Sequence, residues 1–147
     1  MIYLLRHGDA EPANSAGDAA RRLTAKGRRQ ARAAGRALAA LDAGIDACLT
    51  SPKVRAAETA RLACEALGRE PETSVELRGG DFDAPALVAG RGDVLLVGHE
   101  PDFSAAVARL TGANVRMRKG GIAVVDGSTL VALLRPRDLA ALAAGAE

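Results

Sequence analysis

Short apolar runs alternate with helical stretches along almost the whole chain, and this alternation limits the fold more than any other feature of its 147 residues. The first run, "IYLLRH", is apolar without a break and then turns polar, the pattern of a strand buried on both faces. After a polar stretch from about Gly8 to Leu23, Thr24 stands where it can cap a long helix, "AKGRRQARAAGRALAALD", with Ala31, Ala34, Leu38 and Leu41 at helical spacing. "DACLTS" reads as a short second strand, and "PKVRAAETARLACEAL" as a helix with Pro at its first position. "TSVELR" reads as a third strand and "DVLLVGH" as a fourth. "PDFSAAVARLTG" is a helix that opens on Pro and closes on Gly, while "GGIAVVDGSTLVALLRP" holds two apolar runs divided by Asp126-Gly127, a favoured hairpin pair. A short Ala/Leu helix ends the sequence. Strands separated by helices pair in parallel through right-handed crossovers, with helices on both faces, and the final hairpin adds an antiparallel element.

The length suits one domain spanning residues 1–147. A formal net charge of +2 makes no case for nucleic acid or for a membrane surface. No window approaches a membrane span, and the four apolar residues before Arg6 are too few for a signal peptide, so the expected location is the cytoplasm. Aromatic residues are limited to Tyr3, Phe82 and Phe103, so stacking on bases or sugars is not expected and the core must be aliphatic. Cys48 and Cys64 lack C-x-x-C spacing and have no neighbouring His, which argues against a zinc site and leaves a disulfide open. Arg greatly outnumbers Lys, present only as Lys26, Lys53 and Lys119. Most of this excess reads as compositional bias, but guanidinium is the better group for gripping an oxyanion in two places.

The polar residues that close the strands carry the functional signal. The first strand stops at Arg6-His7-Gly8, the second at Ser51-Pro52 and the fourth at Gly98-His99-Glu100-Pro101. Parallel strands bring these junctions to one carboxyl edge, where open α/β sheets bind ligands. Both histidines of the chain lie there. With Ser51 as cap and Pro52 at N1, Arg55 ends the first helical turn, and helical side chains lean back toward the N-terminus. Arg6, His7, Arg55 and His99 can then converge with free helix N–H groups on a pocket for a small dianion such as phosphate. Singly, each residue reads as an ordinary surface or strand-end group. Together they do not.

"LLRHGDA", "SPKVRAAETA" and "VGHEP" resemble the histidine phosphatase superfamily, also called phosphoglycerate mutase-like, and "DAARRLTAKG" resembles its small SixA-type phosphohistidine phosphatases. The resemblance covers nearly the whole chain and implies a three-layer α/β/α sandwich around a mixed, mostly parallel six-stranded sheet; the short loops leave no room for a cap domain. It implies that His7 is the nucleophile, that Arg6, Arg55 and His99 hold and stabilise the transferring phosphoryl group, and that Gly8 and Arg21 belong to the substrate pocket. Asp18, Thr24 and Gly27 match the stretch that orders the loop, Asp9 is placed to position a guanidinium, and Thr59 to support the site from one turn beyond Arg55. Lys119 reads as a charge at the hairpin edge. No metal and no cofactor is expected, since cationic side chains do the electrostatic work.

Elementary chemistry agrees with the assignment. Arg6 and Arg55 repel a proton from His7 and keep the imidazole neutral, so activity is expected to fall on acidification between pH 8 and roughly pH 5. Glu76, Asp81 and Asp83 are the candidates for an acid that would protonate a leaving oxygen. A phosphoramidate nitrogen takes a proton without such help, which favours phosphohistidine on a partner protein over a small phosphate ester. A phosphomonoesterase for small metabolites and a phosphate-binding module without turnover are the alternatives. All of this requires that Nε2 of His7 face Arg55 and that His99 lie on the same rim.

Overall fold

In a computed structural model, which describes residues 1–146, six strands form one sheet in the order β3-β2-β4-β1-β5-β6. The strands are β1 (Ile2–Arg6), β2 (Ala47–Thr50), β3 (Pro71–Thr73), β4 (Val94–Gly98), β5 (Ile122–Asp126) and β6 (Thr129–Leu134). The helices are α1 (Ala25–Ala40), α2 (Val54–Leu67), α3 (Ala84–Val88), α4 (Asp102–Thr111) and α5 (Pro136–Gly145). β1, β2, β3 and β4 run parallel, and β5 and β6 join as an antiparallel pair beside β1.

Alternation along the strands divides the core into two layers. Tyr3 and Leu5 of β1, Leu95 and Val97 of β4, and Ile122 and Val124 of β5 pack with Ala34 and Leu38 of α1, Ala60 of α2 and Leu139 of α5. The intervening residues Leu4, Val94, Leu96, Ala123 and Val125 pack on the opposite face with Phe103 and Val107 of α4 and with Phe82 and Met117. This is the sandwich expected from runs buried on both faces. Each fully buried Leu or Val contributes roughly 1.5–3 kcal/mol, and the core is aliphatic apart from Tyr3, Phe82 and Phe103. Cys48 and Cys64 are free thiols inside the first layer. Among the described residues no helix is long and apolar enough to cross a membrane.

Local details depart from the sequence reading in five places, the first being the short helix α3, which has no counterpart there. β3 ends at Thr73, and Val75–Leu77 form a 3-10 turn instead of continuing a strand. The turn buries Leu77 and leaves Val75 56% exposed, so packing of Leu77 on the lower layer overrides the V-E-L alternation. Leu41 is the C-terminal cap of α1, 49% exposed, and not part of its buried face. α2 begins at Val54 with Lys53 as its cap, and Ser51 Oγ accepts from the Lys53 N–H (3.2 Å) one residue ahead of the helix. Finally, Asp126 pairs with Thr129, so the hairpin turn is Gly127-Ser128, with Gly127 at φ +58° as the first turn residue.

Candidate active site

Strand register alone brings the polar junctions together. Arg6 pairs with Gly98 and Thr50 with Val97, so His7, Ser51 and His99 each lie one residue beyond a paired strand end on the same edge. The His7 N–H donates to the Gly98 carbonyl (3.0 Å) and the Ser51 N–H to the Val97 carbonyl (2.9 Å), which extends the ladder into the junctions. The two imidazoles stand 5.3 Å apart, centre to centre, tilted by 56°. Both are buried.

The His7 ring is fixed from both sides. Its Nδ1 lies 2.7 Å from the Gly8 carbonyl, so the proton belongs on Nδ1. Nε2 then carries the lone pair, and Arg55 Nε donates to it at 3.3 Å. Arg55 is itself held by Asp18, whose carbonyl accepts from Nη1 (3.0 Å) and whose carboxylate accepts from Nη2 (3.3 Å). Lys53 and Arg21 approach the same carboxylate at 3.6 and 3.3 Å. Arg21 also donates to the Glu11 carbonyl (2.7 Å), at the rim of the site.

Burial, above all, holds the His7 pKa down at about 4; Arg55, Arg6 and Arg21 act in the same direction, against the Gly8 carbonyl. The sequence alone points to the guanidiniums and to an acid limb between pH 8 and 5. Burial is the larger cause, and it moves that limb below this window. His99 is held at about 3, by burial first and then by His7, Arg55 and Lys53.

His99 Nε2 lies 2.8 Å from Ser51 Oγ, which also accepts from the Lys53 N–H at 3.2 Å. With the Ser51 hydroxyl donating to Nε2, the His99 proton sits on Nδ1. Two buried donors then have no partner among the described residues: His99 Nδ1 and Arg6 Nε. Unpartnered buried donors are costly, and beside a row of cations they fit oxygens of a bound anion.

The remaining predicted residues divide. Thr59 Oγ1 accepts from the Gly8 N–H (3.1 Å) and donates to the Arg55 carbonyl (2.7 Å), tying the two motifs together. The Gly8 N–H is thus already engaged. What Gly8 supplies is closeness: a Cβ there would come within 2.6 Å of the Gly27 carbonyl, and one on Gly27 within 2.0 Å of the Asp9 carbonyl. Asp9 positions no guanidinium; it accepts from Thr24 Oγ1 (2.8 Å) and pairs with Lys119 (3.5 Å). The guanidinium-holding carboxylate is Asp18. Lys119, read as an edge charge, lies against the loop beyond His7. Glu76 accepts from Ser74 Oγ (2.6 Å), Asp81 pairs with Arg109 (3.4 Å) and Asp83 caps α3 through the Ala86 N–H (3.1 Å). None of these three carboxyls contacts His7, His99, Arg6 or Arg55 among the described residues.

The family model described as "Histidine phosphatase superfamily (branch 1)" matches residues 2–85, which hold the Arg6-His7-Gly8 turn and Arg55. The chain belongs to that superfamily. Membership makes this histidine phosphatase a phosphohydrolase. It is 36% identical over 134 residues to an uncharacterized protein of Picosynechococcus sp., covering 82% of the chain and 81% of that protein. A solved structure of the protein histidine phosphatase SixA complexed with tungstate is similar with a TM-score of 0.80 and 27% identity, over 94% of this chain and 98% of that one. The alpha-ribazole phosphatase from Shigella flexneri shares the fold, with a TM-score of 0.69 and 21% identity over 92% and 96% of the two chains. The SixA structure is matched over almost its whole length, and the described residues form no additional cap domain.

Proposed function

We propose that this enzyme removes the phosphoryl group from phosphohistidine on a partner protein, through a covalent phosphohistidine on His7. The observation that carries the reading is the clamped His7 ring, with its proton on the Gly8 side and its Nε2 lone pair facing the Arg55 guanidinium. The Nε2 lone pair attacks phosphorus as the bond from phosphorus to the substrate imidazole breaks, and the departing nitrogen takes a proton. The 3.3 Å bond from Arg55 is long, and its N–H exchanges Nε2 for a phosphoryl oxygen as the new bond forms. Arg6 Nε and His99 Nδ1, both without a partner, are the donors available to the remaining oxygens. Water then attacks phosphorus on His7, the P–N bond breaks, and inorganic phosphate leaves with neutral His7 restored.

Two observations favour a P–N substrate over an ester. The three carboxyls that could have served as acid are engaged elsewhere, and a nitrogen leaving group does not need one. The similar SixA structure is of a protein histidine phosphatase, and it holds tungstate, a tetrahedral oxyanion of phosphate-like shape. The alpha-ribazole phosphatase resembles this chain in fold alone, and the small-ester reading is the alternative that the experiment must exclude.

Incubation with a ³²P-phosphohistidine peptide should label the wild-type protein transiently, and His7→Ala should abolish the label and lower turnover by at least about a thousandfold. Turnover of the peptide should exceed that of small phosphate esters at equal concentration. Equal slow hydrolysis by wild type and variant would sink the covalent mechanism, and preference for esters would move the assignment to a phosphomonoesterase.

A further inference from the structure

The segment before β5 reads "RMRKGG", and its place follows from register: Ile122 pairs with Leu5, so residues 116–121 run along the catalytic edge. Backbone bonds fasten it to the nucleophile turn. Arg6 N–H donates to the Gly121 carbonyl (3.0 Å), and Gly120 N–H is shared between the carbonyls of Arg6 (3.1 Å) and His7 (3.0 Å). Arg6 Nη1 donates to the Met117 carbonyl (2.9 Å). Gly120, at φ +79°, lies so close to Gln30 of α1 that a Cβ would come within 2.9 Å of its side chain. The segment is therefore a fixed wall.

A cleft of about 670 Å³ opens between this wall and the starts of α1 and α5. Six cations line it, Arg6, Lys26, Arg116, Arg118, Lys119 and Arg137, against a single carboxylate, Asp9. Asp9 is already bonded to Thr24 and Lys119. Arg116, Arg118 and Arg137 are exposed and form no ion pair among the described residues. A phosphoryl group brings at most about two negative charges, and Arg6, Arg55 and His99 already attend to it. The cleft is built for further negative charge. No aromatic side chain lines it, which leaves a nucleobase nothing to stack on.

We propose that this cleft docks an acidic surface of the phosphohistidine-bearing protein, with carboxylates flanking the phosphohistidine set against Arg116, Arg118 and Arg137. The inference rests on the phosphohistidine reading and adds the chemistry of the partner. Exposed charges of this kind act chiefly on encounter rate and partner choice, and salt weakens them. Preference for acidic partners therefore belongs in kcat/KM at low ionic strength.

The test uses two phosphohistidine peptides of equal length, one with Asp and Glu around the phosphohistidine and one with Ser, together with phosphoramidate as a small probe. Wild type should favour the acidic peptide by about tenfold at low salt, and the preference should vanish near roughly 0.5 M salt. The double variant Arg116→Glu/Arg118→Glu should lose about tenfold on the acidic peptide and stay within about twofold on the neutral peptide and on phosphoramidate, which also reports that it is folded. Equal turnover of both peptides by wild type overturns the docking proposal and leaves the phosphohistidine reading intact, as does equal loss on all three substrates in the variant. Failure on both peptides with turnover of phosphate esters overturns the phosphohistidine reading as well. Absence of acidic preference, with tight inhibition by tripolyphosphate that the double variant relieves, overturns protein docking and assigns the cleft to a small polyanion.

Discussion

On the α2 flank of His7 the cations are tied down: Arg55 is gripped by His7 and by two groups of Asp18, Arg21 by Glu11 and Asp18, and Lys53 approaches the same carboxylate. On the β5 flank Arg116, Arg118 and Arg137 carry the same charge and form no ion pair among the described residues. Catalytic electrostatics gain from groups already oriented before the reaction, since no reorganisation is then needed as charge moves. Recognition of a partner gains from charges still free to meet it. The difference between the flanks is thus a division of labour.

The sharpest way to break this comparison is Arg55→Ala. Its removal takes away the donor facing Nε2 and one guanidinium from the phosphoryl site, and kcat should fall by about 10²–10³-fold on every substrate, whatever its flanking charge. Loss confined to acidic peptides would erase the distinction between the flanks.

Acidification comes next in size. Folded His7 titrates at about 4, below the ordinary value of 6.5, so between these pH values the unfolded chain binds a proton that the folded one excludes. Stability is complete above about pH 6.5 and falls as pH drops through 4, by about 3 kcal/mol from His7 alone. Activity of the free enzyme should stay level from pH 8 to about pH 5 and decline near pH 4, readable in kcat/KM profiles run beside denaturant titrations. A limb near pH 6.5 would show that the ring is not excluded from water.

The smallest effect is expected for Asp18→Asn. The carboxylate is half exposed and the Asp18 carbonyl still holds Arg55, so kcat should fall less than about tenfold. The decline in KM-saturated turnover should be shared by acidic and neutral peptides alike. An effect as large as that of Arg55→Ala would place most of the grip in the carboxylate.

Much of the site was legible because its chemistry sits at strand ends. An apolar run followed by Arg-His-Gly declares both the strand and its edge, and the parallel register does the rest. What was not legible depends on contacts across loops. Nothing in "DAARRL" says that the Asp18 carbonyl and carboxylate, instead of Asp9, reach Arg55; that follows from the 3-10 turn at Asp18–Ala20. Lys119 reads as an edge charge because the antiparallel return of β5 toward His7 is a matter of topology. The alternation of Val75 and Leu77 puts the third strand at 73–78, overlapping β3 only at Thr73, while the burial of Leu77 decides for a turn there.

The nucleophile turn is completed by residues distant in sequence: Arg6 is bonded to Met117, 111 positions along. Contacts of such separation form late, since a long loop must close before they return any free energy. During synthesis, an emerging chain that already contains both motif loops still lacks the wall that fixes Arg6. Until β5 joins β1, His7 stands on an unfinished edge, so the candidate site is completed by long-range closure of the sheet and by neither motif alone.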